Sequence, residues 1–162
     1  MKSTDFAPRT APLEVYLMGR LNLTGIEIGV DAGAHAESLL TYLSIEKLIL
    51  VDIWENKWVK GFCEGRLSKF KTKTEFILNY SHLCALKFNR NQHKFDFIYV
   101  DITHDEQTVK ESLYDWFFLL NDNGVMAYRN YTTCQKAIDE FIQAHLIRTE
   151  IDSYANEIIL FK

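Results

Sequence analysis

The 162-residue chain predicts an α/β fold, a doubly wound, seven-stranded, mostly parallel sheet with a reversed C-terminal strand. Three observations carry this. Apolar strand-like runs alternate with stretches of helical period, the pattern of a parallel sheet with crossover helices. The first run passes through Gly25-Ile26-Glu27-Ile28-Gly29-Val30-Asp31-Ala32-Gly33, a glycine-bearing turn that opens straight into a helix. The last two runs, 146–151 and Glu157–Phe161, are joined by five residues. That connector is too short for a helical crossover, so the two are antiparallel neighbours, with the final strand beside the fifth.

Taken in order, residues 1–10 are polar, carry Pro8 and show no period, so they read as a loose arm. Residues 12–21 read as a short helix. Arm and helix, 1–21, precede one domain over 22–162, a length that supports a single core. Ala36, Leu39, Leu40 and Leu43 fall at i, i+3, i+4 and i+7, one face of a helix. The second strand, 47–51, closes on Asp52, nineteen residues after Gly33. Residues 54–70 carry Trp54, Trp58 and Phe62 at helical spacing, which favours the core, with an aromatic wall for a planar substrate as the alternative, while Gly61 and Gly65 weaken the helix. A third strand at 75–78, a helix at 81–88 and a loop at 89–92 lead to the fourth strand, Phe95–Val100, closed by Asp101. Thr103 and Glu106 have capping-box spacing, ahead of a helix with Val109, Leu113, Trp116, Phe117 and Leu120 on one face. Asn121-Asp122-Asn123-Gly124 reads as a turn into a fifth strand at 125–128. Thr132 and Gln135 read as a second capping box, before a helix that buries Ala137, Ile138, Phe141 and Ile142.

Bulk properties exclude several classes. A net charge of -4 argues against nonspecific binding to nucleic acid or to an anionic membrane. No apolar run reaches the length of a membrane span, and the first residues lack the apolar core of a signal peptide. Cys63, Cys84 and Cys134 are odd in number and widely spaced, with no metal-ligand pattern, so buried thiols in a reducing cytoplasm are expected. The basic run Lys57, Lys60, Arg66, Lys69, Lys71 and Lys73, interrupted by Glu64, reads as a solvated face, with a site for an acidic substrate as the alternative.

In sheets of this kind ligands sit outside the carboxyl ends of the strands. The chemistry-bearing residues fall there: Glu27 and Gly29 after the first strand, Asp52 after the second, Tyr80 and Ser81 after the third, Asp101 and His104 after the fourth, Arg129 and Asn130 after the fifth. An acid at the tip of the second strand accepts hydrogen bonds from ribose hydroxyls, so the ligand expected is a nucleoside.

With these residues in view, the chain resembles the class I S-adenosylmethionine-dependent methyltransferases, whose fold is Rossmann-like. Glu27-Ile28-Gly29-Val30-Asp31-Ala32-Gly33 matches the first motif, E-x-G-x-x-x-G, and Val51-Asp52-Ile53-Trp54 is similar to the second. Phe95 to His104 is similar to the F-D-x-I-x-I-D-G-x-H segment of small-molecule and sugar O-methyltransferases. The resemblance implies O-methylation of a small molecule with S-adenosylmethionine as cofactor. It implies that Glu27, Gly29, Gly33, Asp52, Ile53, Tyr80 and Ser81 hold that cofactor. Asp101 and His104 are the candidate catalytic residues, and Arg129 and Asn130 the candidate acceptor contacts. The turn Asp101-Ile102-Thr103-His104 lacks a glycine and an acid of the family pattern, and Arg129 stands where metal-dependent relatives place an acid. A guanidinium in the shell repels a divalent cation, so no metal is expected. The altered loops motivate an alternative, a noncatalytic S-adenosylmethionine-binding domain. A nicotinamide-dependent oxidoreductase ranks below both, since Asp31 replaces the middle glycine of G-x-G-x-x-G. The expected partner is a small-molecule acceptor, not nucleic acid or membrane, and the short chain leaves room for a homo-oligomer.

Overall fold

The structure is a computed structural model that describes residues 12–103, 105–153 and 155–162. The expected arm at 1–10 and His104 lie outside the described residues. The elements are α1 (Pro12–Leu17), β1 (Leu23–Ile28), α2 (Ala34–Tyr42), β2 (Ile45–Asp52), α3 (Lys57–Arg66), β3 (Thr74–Leu78) and α4 (Ser81–Arg90). They continue as β4 (Phe95–Val100), α5 (Glu106–Trp116), β5 (Leu120–Arg129), α6 (Tyr131–His145), β6 (Arg148–Asp152) and β7 (Glu157–Phe161).

The seven strands form one sheet in the order β3-β2-β1-β4-β5-β7-β6. Only β7 is reversed; it lies antiparallel between β5 and β6, as the short connector requires. The order turns outward from β1 in both directions, β2 on one side and β4 on the other. That reversal of direction opens a crevice at the carboxyl ends of β1 and its neighbours.

Side chains alternate across the sheet and build two cores. Ile26, Ile28, Val51, Ile98, Val100, Met126 and Tyr128 face α4, α5 and α6, meeting Phe88, Leu113, Trp116 and Phe141. Leu48, Leu50, Phe97, Tyr99 and Ala127 face α1, α2 and α3, meeting Leu13, Leu17, Leu39 and Cys63. Among the described residues no helix is long and apolar enough to cross a membrane.

Several local expectations need correction. The first helix stops at Leu17 rather than 21, because Gly19 takes a φ of +83° just past its end. Trp54, Trp58 and Phe62 do not form a common core face. Trp54 precedes α3 and is buried, whereas Trp58 and Phe62 are 88% and 62% exposed. The cap of α5 is Asp105, whose carboxylate accepts from the Thr108 N–H at 3.0 Å, so Thr103 is not the capping residue. The cap of α6 is Asn130, ahead of Thr132, and its first N–H groups are met from another element. Asn156, between β6 and β7, accepts from Tyr131 N–H through its carbonyl and from Thr132 N–H through its side chain. Residues 121–124 are not a turn between elements but a bulged start of β5, since Phe95 pairs with Leu120 and Phe97 with Val125.

Candidate functional site

At the carboxyl ends of the strands lies a cavity of about 500 Å³, within the roughly 300–1,000 Å³ range of small-molecule sites. Of the residues expected from sequence, Gly29, Asp52, Ile53, Tyr80, Ser81 and Asp101 line it. Glu27, Gly33, Arg129 and Asn130 do not.

The turn after β1 is fixed by glycine and by Asp52. Gly29 takes a φ of +83°, and a Cβ there would lie 1.8 Å from the Asp101 carbonyl oxygen, so the turn rests directly on the end of β4. Asp52 Oδ2 accepts from the N–H groups of Val30 and Asp31 at 2.8 and 2.9 Å. Its Oδ1 accepts from Trp54 N–H at 2.8 Å. A carboxylate has about four acceptor positions. Three are occupied by backbone, which leaves about one free on a carboxylate that lines the cavity. The Trp54 indole closes the same turn by donating to the Asp31 carbonyl at 3.0 Å. Gly33, with a φ of +77°, brings α2 against α3; a Cβ there would lie 2.6 Å from Cys63 Sγ.

The opposite wall comes from α4 and α5. Tyr80 ends the turn after β3, and its N–H donates to Asn79 Oδ1 at 2.8 Å. Ser81 Oγ accepts from the Trp116 indole at 2.8 Å, leaving its own proton for a ligand. Thr108, Glu111, Ser112 and Asp115 also line the cavity, as do Asn79 and His82. Sequence reasoning passed over these. The signal was present: 108, 111, 112 and 115 fall at i, i+3, i+4 and i+7, a polar stripe beside the apolar stripe of Val109, Leu113 and Trp116. Burial pushes the Asp115 carboxyl up from its ordinary range.

On the acceptor side, Asp101 and Arg129 meet. The guanidinium donates to Asp101 Oδ2 at 2.7 Å, and this pairing raises the Arg129 pKa further. Asn130 is set in the left-handed region, φ 60°, and its carbonyl accepts from Thr133 N–H as α6 begins. The pair therefore links the ends of β4 and β5 across the rim of the cavity.

Glu27 points through the other face of the sheet, opposite to its neighbour Ile28. It is 1% exposed and sits 3.4 Å from His35 Nδ1. His35 stacks on Tyr99 with ring centroids 3.7 Å apart, and the Tyr99 hydroxyl donates to Glu157 at 3.0 Å. Glu14 joins from α1, accepting from the Ser38 hydroxyl at 2.7 Å. Burial opposes the charged imidazolium, but Glu27, Glu157 and Glu14 outweigh it and push His35 up. Burial pushes the Glu157 carboxyl up as well. The Cys63 thiol beside Gly33 is pushed up to about 11, by burial and then by Glu27 and Asp52, so it is not a poised nucleophile.

Comparison with known proteins fits this arrangement. The profile of a family described as "Methyltransferase domain" matches residues 26–131, from within β1 to the start of α6. No curated protein matches the chain. Solved structures share the fold at low identity. The O-methyltransferase TomG from Streptomyces achromogenes, in complex with S-adenosylmethionine, is 14% identical with a TM-score of 0.69, over 93% of this chain and 78% of that one. An O-methyltransferase from Bacillus cereus, in complex with S-adenosylhomocysteine, is 13% identical with a TM-score of 0.66, over 93% and 77%. Fibrillarin from Aeropyrum pernix, with natively bound S-adenosylmethionine, is 12% identical with a TM-score of 0.63, over 87% of this chain and 66% of that one. The motif order, the sheet with its reversed last strand and the matched span agree: the chain belongs to the methyltransferase-domain family of class I fold.

Proposed function

We propose that this domain binds S-adenosylmethionine in the cavity at the carboxyl edge of the sheet and transfers its methyl group to an oxygen of a small, anionic acceptor. The observation that carries the reading is the continuous wall from Asp52 through Gly29 to Asp101, which brings the carboxylate at the tip of β2 and the loop after β4 into one cavity. The bound cofactor supplies an electrophilic methyl carbon. Asp52 offers its remaining acceptor position to a ribose hydroxyl, Ile53 packs against the base, and Tyr80 and Ser81 line the far edge. Gly29 lets the turn after β1 close onto the end of β4, which sets the floor of the cavity between Asp52 and Asp101. The protein's main task is then to align the acceptor and exclude water. Asp101 and His104 are our candidates for taking the acceptor proton. Arg129 presents a planar fork suited to a carboxylate or phosphate on the acceptor. That same guanidinium holds Asp101, the carboxylate of these loops, so a divalent cation would have to displace a fixed positive charge. The three cysteines are buried and form no disulfide, which suits a reducing, cytoplasmic setting.

The test is release of S-adenosylhomocysteine on incubation with hydroxy acids, carboxylated phenols and sugar acids, with and without a chelator. We expect release that survives the chelator and falls about tenfold or more in Arg129→Ala, on the scale of a lost charge-assisted hydrogen bond. Activity abolished by chelation and restored by magnesium would overturn the metal-free reading. The second reading, a noncatalytic cofactor binder, is favoured by the Asp101–Arg129 pair, which closes the acceptor side on itself. Cofactor binding without turnover of any acceptor would select it.

A further inference from the structure

The exposed face of α3 carries features that neither the fold nor the cavity uses. Trp58 and Phe62 stand one helical turn apart in solvent. Gly61 and Gly65 lie between and below them, and a side chain at either would meet nothing within 4 Å. Glycine in an exposed helix interior costs about 1 kcal/mol against alanine, and nothing in the packing of α3 asks for it. The result is an open strip of helix surface with the Trp58 ring in solvent and the exposed Phe62 ring beside the Arg66 guanidinium, which lies 5.4 Å from the ring centroid.

The surrounding charge is equally marked. Residues 57–73 hold six of the chain's 18 lysines and arginines but only one of its 22 acids, in a protein of net charge -4. The net charge therefore hides a local basic track. Three of the six cations are held by acids: Lys60 by Glu64, and Arg66 and Lys69 by Glu37. Lys57, Lys71 and Lys73 are exposed and carry no ion pair among the described residues. Exposed ion pairs are weak, so a phosphate can compete for the other three. The track begins at the start of α3, a few residues after Asp52 and Ile53 close β2, follows the helix for about 15 Å to Arg66, and continues through Lys69, Lys71 and Lys73 in the segment that leads to β3.

From this we propose that the outer face of α3 docks a single-stranded nucleic acid, with Trp58 and Phe62 stacking on bases and the lysines following the phosphates. Flat exposed rings interleaved with cations are the two parts of a strand-binding surface. A duplex hides its base faces and would leave both rings without a partner. An acidic peptide would use the cations but not the rings. The surface does not depend on the methyl-transfer reading, because a noncatalytic binder would carry it too.

The test is fluorescence anisotropy with labelled twelve-residue RNA and DNA homopolymers, beside a matched duplex and poly-glutamate, over a salt series. Trp54 and Trp116 are buried, so the solvent-exposed indole signal reports Trp58. We expect either single strand to bind more tightly than the duplex and than poly-glutamate. We expect that signal to be quenched, and the affinity to fall about tenfold or more in Trp58→Ala/Phe62→Ala with the thermal midpoint unchanged. Lys57→Glu/Lys73→Glu should lower affinity and flatten the salt slope. No binding of either strand at low salt, equal binding of duplex or poly-glutamate, or full affinity in the aromatic double variant would each overturn the proposal.

Discussion

Asp52 shows how one side chain can serve both fold and site. The motif spacing locates it at the tip of β2, but its three backbone partners belong to the turns on either side and are invisible in a linear sequence. Glu27 is the converse case. The motif names it, yet strand alternation sends it through the opposite face from Ile28, into a buried network with His35, Tyr99 and Glu157. That network makes a prediction about pH. His35 is raised above its ordinary 6.5 in the fold, so the folded state holds a proton that the unfolded chain releases first. Its contribution to stability is complete below about pH 6.5 and is lost as pH rises through the higher folded value. Glu157, also raised, acts in the same direction from lower pH. Urea midpoints should therefore fall between about pH 6 and pH 8, and His35→Gln should flatten the upper part of that slope. A midpoint that rises over this window would contradict the assignment. Cys63 gives a second readout. With its thiol pushed up to about 11, it should alkylate far more slowly in the native protein at neutral pH than in urea.

At the level of elements, periodicity found the packed faces of α2, α5 and α6, and strand-closing acids marked β2 and β4. What escaped were ends and exceptions. The start of α6 is met by Asn156 from the hairpin, a partner 24 residues from Thr132, which no local capping pattern contains. Asn156→Ala should destabilise the protein by about 1–3 kcal/mol, from the lost cap and from its left-handed φ of 57°. Chemical denaturation measures it; an unchanged midpoint would mean the hairpin does not support α6. Gly33→Ala should cost about 2–4 kcal/mol, since it combines a left-handed φ with a Cβ driven against Cys63. The exposure of Trp58 and Phe62 was missed for a different reason. Helical spacing says that residues share a face, not whether that face meets the sheet or the solvent.

For the whole molecule, the seven-stranded sheet and the place of its reversed strand were legible because connector length and handedness leave few topologies. The cavity's general position followed from the same topology. Its far wall on α5 did not, because only the folded sheet brings residues 108–115 beside residues 79–82. The central claim is that this cavity holds S-adenosylmethionine with Asp52 at its edge. Isothermal titration of the full chain with S-adenosylmethionine and with NAD, repeated on Asp52→Ala, tests it most directly. The account predicts one-to-one binding of S-adenosylmethionine in preference to NAD, weakened by about 1–3 kcal/mol in the variant. Preference for NAD, or affinity unchanged by Asp52→Ala, would contradict it.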